Sequence, residues 1–239
     1  MIISTKAIVL SKIRFKDNDL IVKCYTESKG VLSFMVKNTL SSKKGKLKSA
    51  YFQPLSMLQI ELDYKDNRDL QYFKNIGLLH AFQSLHTVII KSTVAIFLAE
   101  LLNMTLREEE ANPSLFSYIE TTLLWFDTIE HCSTFHHKFL LGLTKYIGFS
   151  PDISAANLPY FNLEEGKYQT TNNGAHCISG EKLILFNTLL GTNFDTLVDK
   201  PMNSTQKQEL LKMILLYFKL HLQGFKSPKS LAILNQVFS

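Results

Sequence analysis

Leu20-Ile21-Val22-Lys23-Cys24-Tyr25, then Ser28-Lys29-Gly30, then Val31-Leu32-Ser33-Phe34-Met35-Val36: this stretch decides the fold. Two runs rich in β-branched and aromatic residues flank a turn, so they read as neighbouring strands. Working outward, Ala7-Ile8-Val9-Leu10 is a strand before them, connected through Asp17-Asn18-Asp19. Met57 to Tyr64 alternates, with Leu58, Ile60, Leu62 and Tyr64 on one face, and Leu70 to Ile76 follows a polar turn at Lys65–Asp69. Five short strands in the first 80 or so residues predict a small β-barrel or sandwich.

Near residue 80 the pattern changes. Leu85 to Leu106 is apolar on most faces and reads as a buried helix, ended by Glu108-Glu109-Glu110 and Asn112-Pro113. Pro113 suits the first turn of a second helix, which runs to about Glu130. A third starts near Ser133 and stops at Gly148, with Pro151 beyond it. Thr205-Gln206-Lys207-Gln208 has capping-box spacing and opens a helix that ends at Gly224; Ser230 caps a last one to Phe238. Residues 150–180 are rich in Pro, Asn, Gly and Thr with little periodicity, and Glu164-Glu165-Gly166 reads as a turn between two short strands. The expectation is α+β: a β-barrel domain over 1–80, then a helical domain over 81–239 with an irregular insertion at about 150–180.

The charge divides the chain in the same place. Residues 1–80 hold 14 Lys+Arg and 7 Asp+Glu, whereas residues 81–239 hold 12 and 14. A net of +7 on the front part points to a polyanionic partner. Lys37 to Lys48 carries five lysines and no acid, with Gly45 and serines that favour a loop. Lys37, Lys43, Lys44, Lys46 and Lys48 therefore read as phosphate contacts, whose binding weakens steeply with salt. Lys12 and Arg14 come next, and Lys6, Lys16 and Lys23 widen the patch if their strands face the same way. An exposed ring among Tyr25, Phe34, Tyr51 and Phe52 would stack on a base, but Tyr25 and Phe34 are expected in the barrel core.

The 239 residues are 46% apolar and 20% charged, ordinary for a folded protein. Three separated cysteines fit a reducing compartment and no disulfide framework. No apolar run is long enough for a membrane helix, and no signal peptide opens the chain, so a cytoplasmic protein is expected. His131-Cys132-Ser133-Thr134-Phe135-His136-His137 resembles a ligand cluster, which His176-Cys177 could complete. The simpler reading is a helix start capped by Ser133 or Thr134, with exposed histidines and no metal. No GxSxG, P-loop or GxGxxG is present, so neither an enzyme nor a cofactor is expected.

The order of Lys6-Ala7-Ile8-Val9-Leu10, Asp19-Leu20-Ile21-Val22, Thr26-Glu27, Lys29-Gly30 and Val36-Lys37 before a basic run resembles the N-terminus of the bacterial RecO recombination-mediator family. Asn38 stands where that family often has Gly. Leu140 to Pro151 and Lys226-Ser227-Pro228-Lys229-Ser230-Leu231 resemble its later segments, so the likeness spans nearly the whole chain. The resemblance implies an OB-fold followed by a helical domain. It implies a non-enzymatic protein, associated with the nucleoid, that binds single- and double-stranded DNA and anneals strands. It also implies help in loading recombinase, with RecR and the acidic C-terminal tail of single-strand-binding protein as partners. Lys37, Lys43, Lys44, Lys46, Lys48, Lys12 and Arg14 are then the expected DNA contacts, Arg14 able to stack on a base. Many relatives carry a four-cysteine zinc finger where this chain has residues 152–180. Only Cys177 lies there, so Pro159-Tyr160-Phe161 and Tyr168 are expected to hold the insertion by packing. Two other readings compete: an adaptor whose basic face meets an acidic protein segment, and an RNA-binding OB protein.

Overall fold

A computed structural model describes residues 1–16, 18–37, 49–106, 110–130, 133–191, 194 and 202–238. The chain forms two compact units, Met1–Thr128 and Ile129–Ser239. The strand-to-helix switch near residue 80 thus lies inside the first.

In the first unit, β1 (Ile2–Phe15) is the central strand. It pairs antiparallel with β2 (Asp19–Thr26) on one side and with β4 (Met57–Asp63) on the other. β2 pairs with β3 (Gly30–Val36), through a turn in which Gly30 takes φ 63°. β5 (Leu70–Gln71) adds to β3 in parallel, and β6 (Phe73–Leu78) adds antiparallel to β4. Only Tyr72 separates β5 from β6, so the two act as one bent fifth strand. The order β5-β3-β2-β1-β4-β6 therefore closes on itself, as in a five-stranded OB barrel. The alternation read from the sequence fills it: Val9, Leu20, Val22, Cys24, Phe34, Val36, Leu58, Ile60 and Leu62 meet inside with Phe52. Phe34 and Phe73 stack at 4.1 Å across the closing seam.

One irregularity sets the faces of β1. Val9 pairs with Cys24, but Ser11 pairs with Lys23, so Leu10 is an additional residue, a β-bulge. Before it, Ala7 and Val9 point inward; after it, Lys12 and Arg14 take the inward phase, and Ile13 and Phe15 the outward one.

Helix α1 (Ile89–Thr105) begins four residues later than the periodicity suggests, and α2 runs Pro113–Thr128 with Pro113 in its first turn. The delay has a cause in Asp127. Its carboxylate accepts the backbone N–H groups of Gln83, Ser84 and Leu85 at 2.7–2.9 Å, holding them outside the helix. The buried Lys91 ammonium completes this clasp, donating to Ser84 Oγ at 2.7 Å and to Asp127 O at 2.9 Å.

In the second unit, α3 (Phe135–Tyr146), α4 (Gly180–Leu190), α5 (Ser204–His221) and α6 (Leu231–Val237) form the helical part. The insertion is more regular than its composition suggests. β7 (Tyr160–Asn162) pairs with β8 (Lys167–Gln169) and β9 (Cys177–Ser179) in a small antiparallel sheet. The turn between β7 and β8 falls at Glu164-Glu165-Gly166, as its chemistry predicts. Gly166 takes φ 65°, and a Cβ there would lie 2.7 Å from Tyr217 Oη, so a larger residue is blocked twice over.

Candidate nucleic-acid interface

The strand register decides which basic residues meet. Arg14 lies opposite Leu20, and Leu20 opposite Val36, so the β1–β2 turn and the end of β3 share one rim of the barrel. Neighbouring strands lie ~4.8 Å apart, which puts Arg14 and Val36 about 10 Å apart. Lys12, Arg14, Lys16 and Lys37 are all exposed on this rim. Burial of its stem still lowers the Lys12 ammonium from its ordinary pKa. Lys43, Lys44, Lys46 and Lys48, expected as phosphate contacts, lie outside the described residues.

Lys6 does not join this group. It is half-buried and held by Glu120 at 3.0 and 3.2 Å, and that hydrogen bond, then the charge of Glu120, raises its pKa against the opposing effect of burial. His80 approaches the same carboxylate at 3.5 Å. Lys23 sits on the outward face of β2, opposite Ser11 and Ser33.

Phe34 lies in the barrel core as expected, whereas Tyr25, on the opposite phase of β2 to Cys24, is buried outside the barrel against Phe116 of α2. Tyr25, Phe34 and Phe52 are buried, and Tyr25 donates its hydroxyl to Asn112 O at 3.0 Å while packing on Phe116. Burial pushes its phenol up to about 12. Among the described residues two other aromatic rings are exposed: Phe15 at 38% and Tyr72 at 44%. Sequence reading passed over both. Tyr72 was read within a single strand over Leu70 to Ile76, and Phe15 lies beyond the bulge that reverses the phase of β1. The signal was present in the phase of each strand, hidden at β1 by the bulge. Each ring carries an ammonium group: Lys16 Nζ lies 5.5 Å from the Phe15 centroid, and Lys37 Nζ 5.8 Å from that of Tyr72.

The second unit corrects the histidine expectation. His136 and His137 are buried on α3, not exposed, with rings 4.2 Å apart. His137 Nε2 donates to Lys207 O at 2.8 Å, and its Nδ1 is buried with no partner among the described residues. Burial drives the His137 pKa down to about 4 and that of His136 well below its usual value. Thr134 occupies the N-cap position of α3 without a side-chain cap bond. His131 and Cys132 lie outside the described residues, and among those described no three His, Cys, Asp or Glu side chains gather as a metal site.

The segment matching the zinc finger of relatives is held by a different chemistry. Phe161 is buried against Tyr168, Phe186 and Tyr217, as expected, although Pro159 is exposed. A knot of amides adds to this. Gln169 Nε2 donates its two hydrogens to Thr171 O and Asn173 O and lies 3.0 Å from Cys177 Sγ, and Cys177 donates to Asn173 O at 2.8 Å. Asn162 Oδ1 accepts from the backbone of Glu164 and Glu165. One thiol among neutral amides does not fit a four-cysteine zinc site.

Between α4 and α5 lies a small cleft of about 60 Å³, floored by Leu185, Leu210 and Met213. Its rim is acidic: Glu181 bonds Gln206, and Glu209 pairs with Lys182 at 3.2 Å. One row of α5 carries Lys212, Lys219 and Leu220, exposed, and Leu216, half-buried, with Glu209 at its N-terminal end. Among the described residues, no helix is long and apolar enough to cross a membrane.

The chain's likeness to known proteins runs through both units. A family model described as "Recombination protein O N terminal" matches residues 1–82, and one described as "Recombination protein O C terminal" matches residues 86–231. The protein named DNA repair protein RecO of Flavobacterium johnsoniae is 44% identical over 239 residues. That of Christiangramia forsetii is 42% identical over 238, and that of Bacteroides fragilis 33% over 242. All of this chain and all of each relative are covered. With an OB barrel over the N-terminal match and helices through the C-terminal one, the chain belongs to the RecO family of DNA repair proteins.

Proposed function

We propose that the chain is a non-enzymatic recombination mediator of the cytoplasm and nucleoid. In this reading residues 1–80 bind single- and double-stranded DNA and promote annealing. Residues 81–239 meet protein partners, RecR and single-strand-binding protein among them, so that recombinase loads on coated DNA. The observation that carries the reading is the gathering, by strand register, of Lys12, Arg14, Lys16 and Lys37 on one rim of an OB barrel. The run Lys43, Lys44, Lys46 and Lys48 follows Lys37 in the chain. Such a rim takes phosphates regardless of sequence. For an acidic protein tail the basic and apolar row on α5, with Lys212, Lys219 and Leu220, is the better match. The cleft between α4 and α5 offers no such open cation, since its Lys182 is paired with Glu209.

The test is fluorescence anisotropy on a labelled single strand across a salt series. Seven basic contacts, Lys12, Arg14, Lys37, Lys43, Lys44, Lys46 and Lys48, predict a slope of log K against log salt of roughly −4.9, at about −0.7 per phosphate. Replacing Lys43, Lys44, Lys46 and Lys48 with Gln should take most of that slope away. A flat response in the parent protein, or an unchanged slope in the variant, rejects the assigned site. A matched RNA strand binding better than DNA would favour the RNA reading instead.

A further inference from the structure

The outward face of the barrel carries a feature that the phosphate-binding rim does not need. β1, β2, β3 and β5 lie side by side, and their pairing aligns the outward residues into rows. Ile13 lies opposite Ile21, Ile21 opposite Met35, and Tyr72 follows Gln71, the partner of Phe34, so it falls beside Met35. Phe15 stands one step along the same face of β1, opposite Asp19. An apolar row thus crosses the face between the two exposed rings, with Ile13 exposed, Ile21 half-buried and Met35 buried. Exposed apolar side chains on a strand face cost solvation unless something covers them.

We propose that this face is a base-stacking track for an unpaired nucleic-acid strand, with Tyr72 and Phe15 as its two platforms. The proposal rests on the nucleic-acid reading above and adds to it the means of telling a single strand from a duplex. Lys37 and Lys16 each hold an ammonium over one of the rings, so every platform comes with a cation for the adjoining phosphate. That pairing of ring and charge favours a nucleotide over an apolar protein segment, which would have no group for either ammonium. The rings are about three strand spacings apart, or ~14 Å, a span of several nucleotides within one barrel's usual site. Phosphates are offered by duplex and single strand alike. Base faces are offered only by the single strand, because in a duplex they are stacked on each other. The rings therefore discriminate, and the lysines do not.

The experiment measures affinity of the full chain for an oligo-dT strand and for a hairpin duplex of equal charge. Tyr72→Ala should weaken single-strand binding roughly tenfold and duplex binding less than twofold, and Phe15→Ala should act likewise. Tyr72→Phe and Tyr72→Trp should keep the parent's preference. In the Tyr72→Trp variant, fluorescence above the Trp125 background should be quenched by oligo-dT and not by the duplex. Lys37→Gln should weaken both ligands together and reduce the salt slope. Equal losses on both ligands, or no loss in a Tyr72→Ala protein whose parent binds, would overturn the stacking track and leave the phosphate site standing. A parent protein that binds neither ligand would overturn the underlying reading as well.

Discussion

Asp127 shows how much one side chain can decide. Burial works against its charge, but the N–H groups of Gln83, Ser84 and Leu85 and the Ser84 hydroxyl outweigh it, and its pKa falls below the usual carboxylate value. A carboxylate with a depressed folded pKa adds stability above its unfolded value of ~3.9, and that stability is lost as pH falls through the folded pKa. Asp127→Asn keeps one acceptor oxygen and should cost about 2 kcal/mol at pH 7. Urea midpoints should show the difference at pH 7 and little of it near pH 3. An equal difference at both values would mean the charge is not what holds the clasp. Nothing in the sequence around Asp127 marks it, because its partners are backbone groups more than forty residues away. Core positions were legible for the opposite reason: Phe34 and Val22 sit in apolar runs whose own pattern places them inside. Phe15 and Tyr72 were not, since exposure depends on what fails to cover a ring.

At the scale of elements, helix α5 makes a sharper point. Its cap is Asn203, whose Oδ1 accepts from Gln206 N at 2.8 Å while Gln206 Oε1 accepts from Asn203 N at 2.8 Å. The capping box therefore lies two residues before the Thr205–Gln208 spacing that the sequence also offers. Both sets satisfy the local pattern, and the choice between them is made by where the helix packs. Asn203→Ala should lower the unfolding free energy by about 1 kcal/mol, whereas Thr205→Ala should leave it nearly unchanged. Thermal unfolding of the two variants side by side checks this, and a larger loss at Thr205 would restore the other box. Strands β1 to β4 were readable because each alternates against a single core. The β7–β9 sheet was read as irregular because its strands are three residues each, too short for a period to show. Glu164-Glu165-Gly166 remained visible as a turn because turn chemistry needs no length.

For the whole molecule, acid should act on the two units in sequence. His136 and His137 are buried as neutral rings, and their folded pKa values lie below the unfolded value of ~6.5. Their contribution is complete above that value and shrinks as pH falls toward about 4 for His137, by up to about 1.4 kcal/mol per pH unit for each ring. The Asp127 clasp in the first unit does not weaken until lower pH. Hydrogen exchange at pH 5 against pH 7 should therefore show α3 and α5 opening while β1 to β4 stay protected, and His137→Leu should flatten the dependence. Barrel amides exchanging first would refute the ordering. The charge asymmetry of the two halves was plain in the sequence, as was the α+β division, since both are sums over many residues. The direction in which Lys12 and Arg14 point was not, because it turns on a single position. Leu10 is that position, and it carries a consequence for inheritance. Faces alternate in steps of two, so if Leu10 took a regular place in the ladder, Lys12 and Arg14 would stand where Ile13 and Phe15 now stand, whereas deleting Leu10 would leave their faces unchanged. The way the strand takes up Leu10, outside the ladder and not within it, is what natural selection has to guard.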